Sequence, residues 1–361
     1  MPSSNLLERV ACPVCGNDRD FIPVHGSRTD NWIRTLDVGL ARSRWGICAG
    51  CGLVMQNPRP NAEAYKRLYE GSVYHESQLS GDQIKRSLEL IEYCFADKIG
   101  FAERFYRGRD LAPWRMLDIG CGMGESLAAF RDRKFEVAGV QPDPALTRLA
   151  KEHLGFDLRQ EYFTGDSFPP NHFSVVFTNH AFEHFDDPAS VIAGIAKVLK
   201  PGGVCFTCAP TYARNKTPTA RAWMNSAHNW IWTHETLGAL FKIHGLRPVA
   251  HTYNGTPKYT DELWLVVEKP VSGLEVQSVE AAIRGLTPAA QVKRTLEWVV
   301  PVRSAIYLPW SVFQKGKRFV QFTGGRPGAV AAYLLQVARN RGGQVSRWFH
   351  SLRRAKQAKP L

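Results

Sequence analysis

The pattern of hydrophobic positions predicts an α/β domain in the middle of the chain. Between Trp114 and Lys269, short apolar runs alternate with amphipathic stretches, which is typical of repeated strand–helix units and a mostly parallel sheet. The predicted strands are Arg115–Ile119, Glu136–Val140, Ser174–Thr178, Gly203–Cys208, Arg247–Thr252 and Tyr259–Glu268. The predicted helices are Glu125–Lys134, Pro144–His153, Pro188–Leu199 and His234–His244. The last two strands follow one helix closely and predict an antiparallel edge.

The segments before this region have a different pattern. Apolar residues recur at helical spacing from Tyr65 to Tyr106, whereas residues 12 to 60 have little periodicity and many Gly, Pro, Asp and Cys. We predict a Rossmann-like, mostly parallel seven-stranded sheet with helices on both faces, behind a small cysteine-containing module and before a basic helical tail. The predicted division is a cysteine-containing module (1–62), a helical linker (63–111), a central α/β domain (112–270) and a basic extension (271–361).

Composition narrows the protein class. The 361 residues are 44% hydrophobic, which is enough for a sizeable core. No run of 18 apolar residues occurs, and Met1–Val10 lacks the pattern of a signal peptide, so we expect a cytoplasmic protein. Eight cysteines without such a signal predict metal ligation or burial rather than disulfides.

The net charge of +13 is concentrated at the end of the chain. Residues 298–361 contain no Asp or Glu and twelve cations: Arg303, Lys315, Lys317, Arg318, Arg326, Arg339, Arg341, Arg347, Arg353, Arg354, Lys356 and Lys359. Bulky aromatic residues such as Trp310 and Trp348 lie among them. This mixture favours peripheral contact with an anionic membrane at the inner face, while nucleic acid binding and a solvated tail stay open as alternatives.

One glycine-rich turn carries the candidate chemistry. Residues 116–125 (MLDIGCGMGE) place an acid near a strand end, then three alternating glycines, then a helix start. Such glycines let the backbone approach a ligand closely, and the free N–H groups at the helix start favour an anionic group. The dinucleotide fingerprint requires a third glycine where Glu125 stands, so the spacing disfavours a dinucleotide.

Leu117–Gly124 resembles motif I of class I S-adenosylmethionine-dependent methyltransferases. Leu199–Gly203 resembles the turn into that family's fifth strand, and Asn179–Pro188 resembles the segment after its fourth strand. The resemblance covers about residues 112 to 268. It implies a methyltransferase that uses S-adenosylmethionine.

The resemblance also implies the cofactor-binding residues. The glycine loop that faces the methionine part of the cofactor corresponds to Asp118, Gly120, Cys121, Gly122 and Gly124. The ribose position falls on Gln141, where the family usually has an acid, so either Gln141 or Asp143 is expected to bind the ribose hydroxyls. Glu161, with Asp166 as its rival, corresponds to the acid near adenine. Asn179, at the end of the fourth strand, completes the expected set.

Two Cys-x2-Cys pairs predict a metal site near the start of the chain. Cys12, Cys15, Cys48 and Cys51 supply four thiolates for a tetrahedral Zn²⁺, and a Gly follows each pair. Four thiolates leave no open position, so the zinc is expected to be structural. A redox dithiol and ligation by His25 are the alternatives. Cys205 and Cys208 also form Cys-x2-Cys, but they fall in a predicted buried strand and are interpreted as core.

The expected acceptor is a saccharide, either nucleotide-activated or lipid-linked. Asn57–Pro60, followed by Tyr65 and Tyr69, resembles the segment after the zinc ribbon in methyltransferases of surface-polysaccharide and sugar-modification clusters. The alternatives are an RNA acceptor, favoured by the basic tail, and a non-catalytic cofactor-binding scaffold.

Three histidines are candidate general bases. His184 and His180 follow the predicted strand Ser174–Thr178, at the sheet edge where ligands bind in α/β proteins. His228 lies in a segment that resembles the Glu-His pair of sugar C-methyltransferases, but Ala227 stands in place of the Glu. Without that carboxylate, O-methylation is favoured over C-methylation.

Overall fold

The computed structural model describes residues 6–24, 43–70, 81–212, 223–254 and 262–297. All of them belong to one compact unit, Met1–Pro301. The basic tail expected at residues 298–361 and the rival zinc ligand His25 lie outside the described residues. Within the described part, no helix is long and apolar enough to cross a membrane.

The described elements follow one another in this order. The strands are β1 Leu7–Glu8, β2 Phe21–Val24, β3 Trp45–Cys48, β4 Val54–Gln56, β5 Arg59–Pro60, β6 Arg115–Ile119, β7 Glu136–Val140, β8 Phe173–Asn179, β9 Leu199–Pro210, β10 Trp230–Ile231, β11 Arg247–Asn254 and β12 Glu262–Glu268. The helices are α1 Ala62–Glu70, α2 Gly81–Glu89, α3 Ile91–Glu103, α4 Glu125–Asp132, α5 Pro144–Leu154, α6 Pro188–Val198, α7 His234–Ile243, α8 Val279–Ile283 and α9 Ala289–Glu297.

The main sheet is mixed, with the strand order β11-β12-β9-β8-β6-β7. Strands β7, β6, β8 and β9 are parallel, whereas β12 pairs antiparallel with both β9 and β11. The antiparallel edge predicted from the sequence is therefore confirmed. Because parallel strands end at the same edge, the residues after β6, β7 and β8 meet there.

The expected count of seven strands is corrected to six among the described residues. Where a further edge strand would lie, Arg159 forms an isolated parallel bridge with Val140 and no continuing ladder. The Arg159 guanidinium instead donates to the carbonyl oxygen of Ser167 and lies over the ring of Phe168. The parallel pairing is therefore limited to one residue at this edge.

The core lies on both faces of the sheet because β8 and β9 are buried along almost their whole length. Phe177 and Phe206 stack across these two strands with their ring centroids 4.8 Å apart. Cys205 and Cys208 are completely buried in β9, which confirms their interpretation as core residues.

A second sheet joins segments that are distant in sequence. Its order is β10-β4-β3-β2, so Trp230–Ile231 completes a sheet begun by the N-terminal strands. Val292 and Leu296 of α9 pack with Ile47 and Val54 on this sheet. Thr287 Oγ1 also donates a hydrogen bond of 2.7 Å to Glu235 of α7. The fourfold division of the chain stays a prediction, but the small sheet takes strand β10 from the later part of the chain and packs against α9.

Candidate functional site

The glycine turn after β6 has the backbone that its sequence predicted. Gly120, Gly122 and Gly124 all have positive φ values, of 76°, 59° and 88°, where other residues are strained. A Cβ at Gly120 would lie 2.9 Å from Ala181 Cβ, and a Cβ at Gly124 would lie 2.9 Å from the ring of Phe156. Among the described residues, a Cβ at Gly122 would have Glu125 Oε2, at 3.5 Å, as its one neighbour within 4 Å. Gly120 and Gly124 are thus constrained by packing, whereas Gly122 borders open space.

Asp118 lies in β6, two residues before the first glycine of this turn, and one of its carboxylate oxygens has a hydrogen-bond partner among the described residues. It is 2% exposed, and Ser126 Oγ donates a hydrogen bond to Oδ2. Oδ1 is buried and has no hydrogen-bond partner among the described residues. Burial raises the pKa of Asp118 to about 7, since the Ser126 hydrogen bond opposes the shift only in part. Asp118 can therefore accept a hydrogen bond from a ligand at Oδ1.

The two expected ribose-binding residues, Gln141 and Asp143, differ in the hydrogen bonds that their side chains already make within the protein. Asp143 is completely buried and caps α5, with Oδ1 accepting a hydrogen bond from the Ala145 amide at 2.8 Å. Gln141 is 6% exposed, and its Oε1 accepts from the Asp143 amide at 3.2 Å. Asp143 thus has a structural role at the helix start.

The other residues expected to bind the cofactor differ in their exposure and in their hydrogen-bond or ion-pair partners. Glu161 is 43% exposed and forms an ion pair of 3.6 Å with Arg159. Cys121 is buried, and burial raises the pKa of its thiol well above the usual range, so it lines the turn as an unreactive thiol. Asn179 Oδ1, at the end of β8, accepts a 2.5 Å hydrogen bond from Lys98. These residues stay proposals as cofactor ligands.

His180 lies between two buried carboxylates. Its Nε2 is 2.8 Å from Glu262 Oε1, and its Nδ1 is 3.3 Å from Glu183 Oε1. The backbone N–H of His180 donates to the Cys208 carbonyl, and φ is 55°. The β8 end, β9 and β12 therefore meet at this ring.

His184 lies four residues further along the chain, against α1. Its Nδ1 is 2.8 Å from the Ala227 carbonyl oxygen and 2.8 Å from the Tyr69 hydroxyl. A carbonyl oxygen can only accept, so Nδ1 carries the proton and Nε2 carries the lone pair of the neutral ring. Nε2 is 3.9 Å from Glu183 Oε1. The histidine is thus oriented as a proton acceptor with a carboxylate beside it.

His228 is oriented in the same way and closes a wall of rings. Its Nδ1 is 2.8 Å from the Trp223 carbonyl oxygen. The His184 and His228 rings meet edge to face with centroids 4.7 Å apart, and the Trp223 ring stacks on His228 at 6.0 Å. Tyr69 packs edge to face on His184 at 5.9 Å. All three histidines named from the sequence therefore lie in one ring-lined region, which we call the aromatic wall: Tyr69, His180, His184, Trp223 and His228.

Three residues of this region were not found from the sequence. Lys98 falls within an apolar helical stripe, Cys208 falls in a strand interpreted as core, and Glu262 begins an apolar strand. Lys98 and Glu262 are 3% and 0% exposed in their side chains and lie 3.5 Å apart. For Lys98 and Glu262, a charged residue within an apolar run was the available signal, because a buried charge needs a partner. Nothing in the sequence distinguished Cys208 from an ordinary core residue.

The four N-terminal cysteines form a compact cluster. Cys12 Sγ is 3.4 Å from Cys51 Sγ, and Cys15 Sγ is 3.4 Å from Cys48 Sγ. All four sulfurs lie within 4.8 Å of one another. Tetrahedral Zn²⁺ with bonds of about 2.3 Å requires sulfurs about 3.8 Å apart, so the cluster fits the ion. Asn17 Nδ2 also donates to Cys48 Sγ, as expected around a metal thiolate.

The segment that suggested a saccharide acceptor has structural roles. Asn57 Nδ2 donates to the Val10 carbonyl at 3.1 Å. Arg59 pairs with Glu8 at 2.8 Å and lies over the Trp230 ring at 5.2 Å. These contacts hold the N-terminal strands together, and they say nothing about an acceptor.

Comparison with known proteins identifies the central domain. Residues 88–251 match the family model of a methyltransferase domain. The chain therefore contains a methyltransferase domain, which confirms the class expected from residues 112–268.

The curated relatives correct the expected acceptor. The match to the ubiquinone biosynthesis O-methyltransferase of Stutzerimonas stutzeri (strain A1501) is 35% identical over 102 residues, 27% of this chain and 44% of the relative. The match to the protein of the same name from Aromatoleum aromaticum is 34% identical over 109 residues, 28% of this chain and 45% of the relative. The chain spans less than half the length of these relatives. Their names overturn the saccharide acceptor, together with the RNA and scaffold alternatives.

Among solved structures, the chain is similar to the 1,6-didemethyltoxoflavin-N1-methyltransferase of Burkholderia thailandensis. The identity is 18%, the TM-score is 0.43, and the match covers 60% of this chain and 96% of the other. A likeness of this degree carries no argument about activity.

Proposed function

We propose that this chain is an S-adenosylmethionine-dependent O-methyltransferase whose acceptor is a hydroxyl group on the ring of a quinone precursor. The observation that carries the proposal is the pair of carbonyl-oriented histidines in the aromatic wall, close to the sheet edge at which the glycine turn lies. The names of the curated relatives supply the acceptor class.

The cofactor-binding residues follow from the glycine turn. Gly122 leaves room for a ligand against the backbone, and the Asp118 Oδ1 atom is an acceptor already buried beside it. Gln141 has an amide that can exchange hydrogen bonds with ribose hydroxyls, since Asp143 caps α5. When bound, S-adenosylmethionine supplies a methyl group on a sulfonium sulfur. The remaining cofactor-binding residues are proposed on the resemblance alone: Gly120, Gly124, Cys121, Glu161 and Asn179.

The aromatic wall suits a flat acceptor with a hydroxyl group. Trp223, His228 and Tyr69 offer ring faces and edges, and aromatic rings pack favourably on one another in stacked or edge-to-face geometry. A phenol also loses its proton more readily than a saturated alcohol, so an imidazole is a sufficiently strong base for it. Among the three candidates, we assign the proton acceptor to His184, because Glu183 can stabilise the imidazolium that forms on it.

The four-cysteine cluster is proposed to hold a structural Zn²⁺. Four thiolates saturate the ion, so it takes no part in methyl transfer. Binding would stabilise β2, β3 and β4, which flank the ligands and pack against Val292 and Leu296 of α9.

The acceptor class is tested with a matched pair of diols. The purified chain is incubated with S-adenosylmethionine and either catechol or cyclohexane-1,2-diol, and release of S-adenosylhomocysteine is measured. We expect turnover with catechol to exceed that with the saturated diol by about tenfold or more, because only catechol is flat and acidic. Equal rates, or turnover with the saturated diol alone, would contradict the aromatic acceptor.

A further inference from the structure

A row of buried charges leads from α3 to the aromatic wall. Lys98 Nζ lies 3.5 Å from Glu262 Oε1, and the same oxygen lies 2.8 Å from His180 Nε2. His180 Nδ1 then lies 3.3 Å from Glu183 Oε1. The side chains of Lys98, Glu262, His180 and Glu183 are 3%, 0%, 14% and 1% exposed. We call these four residues the charge row.

Both nitrogens of His180 face carboxylate oxygens. An ionised carboxylate can only accept hydrogen bonds, so a neutral ring, with one N–H, could satisfy only Glu183 or only Glu262. The protonated ring satisfies both carboxylates. Burial lowers the pKa of His180, but the neighbouring Cys208 sulfur and the two carboxylates raise it and prevail, so its pKa lies well above the usual value.

At the α3 end of the charge row, Lys98 helps to keep Glu262 ionised. Burial raises the pKa of Glu262, but Lys98 and His180 outweigh burial and bring it to about 2. Trp264 Nε1 donates to Glu262 Oε2 at 2.9 Å, so both oxygens of this carboxylate are satisfied. Lys98 further donates to Asn179 Oδ1. Two cations and two carboxylates alternate, so the row is electrically balanced when His180 is charged.

We propose that His180 is a positioning residue of the methyl transfer and not its proton acceptor, held as an imidazolium that fixes the Glu183 carboxylate beside His184. The positioning role rests on the proposed function, whereas the charge of His180 does not. With S-adenosylmethionine bound, the acceptor O–H bond would break and its proton would pass to His184 Nε2. The acceptor oxygen would form a bond to the methyl carbon as the carbon–sulfur bond breaks, and the electron pair of that bond would stay on the sulfur of the departing S-adenosylhomocysteine. The Glu183 carboxylate then faces the new positive charge at 3.9 Å.

Lys98 has a defined part in this arrangement. Among the described residues, Lys98 and His180 both lie beside the Glu262 carboxylate, which is buried in β12. Without Lys98, His180 would have to balance more of the charge of this carboxylate. With Lys98 present, the His180 imidazolium is shared between Glu262 and Glu183. Helix α3, which precedes the sheet, therefore contributes to the charge of the site.

The charge of His180 can be measured directly in the apo-protein. The ring nitrogens are labelled with ¹⁵N and followed by NMR as the pH is raised, and the His180→Asn variant identifies the resonances. Asn tolerates the left-handed backbone at this position, so the variant removes the ring without adding strain. We expect both ring nitrogens of His180 to remain protonated at about pH 8. A His180 that is neutral at about pH 7 would overturn the proposal.

A double variant tests the source of the charge. Lys98→Met with Glu262→Gln removes one charge of each sign, so no buried ion is left unpaired. We expect the pKa of His180 to fall by about one unit or more, since one of its two carboxylates is gone. An unchanged titration of His180 in the folded double variant would show that the row does not control its charge.

The kinetic test separates a positioning residue from the base. With catechol as acceptor, we expect His180→Asn to lower kcat about tenfold with little change in KM. Because a positive charge is lost near His184, the acid limb of the kcat/KM profile should move up by about half a pH unit. Disappearance of the acid limb would instead identify His180 as the base. If catechol is not turned over at all, the proposed function fails and the NMR result still stands.

Discussion

The hydroxyl group of Tyr69 lies 2.8 Å from Nδ1 of His184, although the two residues are 115 positions apart. The same hydroxyl lies 3.3 Å from the Ala227 carbonyl, to which His184 Nδ1 also donates. Helix α1, which precedes the methyltransferase domain, thus forms part of the aromatic wall. The N-terminal segments therefore shape the acceptor site as well as the small sheet.

The two carbonyl-oriented histidines should differ in kinetic importance. We predict that His184→Gln lowers kcat with catechol by about 100-fold or more, because it removes the proton acceptor. His228→Gln is the matched control, since that ring also donates Nδ1–H to a carbonyl, and we expect it to affect mainly KM through the aromatic wall. The measurement is steady-state release of S-adenosylhomocysteine. A larger loss of kcat in His228→Gln than in His184→Gln would instead identify His228 as the proton acceptor.

Gly122 should be required for cofactor binding and not for folding. Gly122→Ala places a Cβ into the space at the glycine turn, so we predict a loss of S-adenosylmethionine affinity of about tenfold or more by isothermal titration. Gly108→Ala is the control, because Gly108 also has a positive φ, of 79°, and no atom within 4 Å of an added Cβ. Both variants should lose about the same stability. Equal affinities would contradict the placement of the cofactor at Gly122.

Asp118 should make the unfolding free energy depend on pH. Its pKa is raised from 3.8 to about 7 by burial, so the native state binds more protons than the unfolded state between these values. Stability from this group is therefore present below about pH 4 and is lost as the pH rises to about 7. The free energy of unfolding should therefore change less between about pH 4 and about pH 7 in Asp118→Asn than in the wild type, by up to about 4 kcal/mol. Urea denaturation at both ends of this pH range measures the free energy of unfolding. An equal pH dependence in both proteins would show that the pKa of Asp118 is not raised.

The cysteine cluster should bind one zinc ion per chain. We predict that Cys48→Ser reduces bound zinc, measured by mass spectrometry of the metal, from about one ion per chain to nearly none. Cys205→Ala is the control, because Cys205 is completely buried in β9 and should keep the zinc despite a small loss of stability. A wild-type protein that carries no zinc and oxidises to a disulfide would support the dithiol alternative instead.

The basic tail should attach the protein to anionic lipid. We predict that the full chain sediments with phosphatidylserine vesicles at low salt, and that a chain ending at residue 297 does not. High salt should weaken binding, since exposed charges are screened. Vesicles of phosphatidylcholine alone are the control. Equal binding to both vesicle types, or retention without the tail, would remove the membrane proposal for residues 298–361.

Parts of the fold were visible in the sequence because they follow from local patterns. β6 and β7 have the predicted bounds, since each is a short apolar run between turn residues. α4 ends at Asp132, two residues earlier than predicted, and Lys134 has a positive φ of 69°. The sequence did not reveal that the predicted count of seven strands was one too high for the described residues. The contacts of Arg159 with Ser167 and Phe168 depend on side-chain packing, which no local pattern shows.

The sequence by itself determined the methyltransferase domain, the glycine turn and the four-cysteine cluster, because each is set by residues of fixed type at short, regular spacing. Only the tertiary structure decided how the histidines differ. His180 faces Glu262 and Glu183, whereas His184 faces a backbone carbonyl and Tyr69. Proton affinity depends on the charges and burial within a few ångströms of the ring, and those neighbours come from α1, α3 and β12, which no local pattern connects.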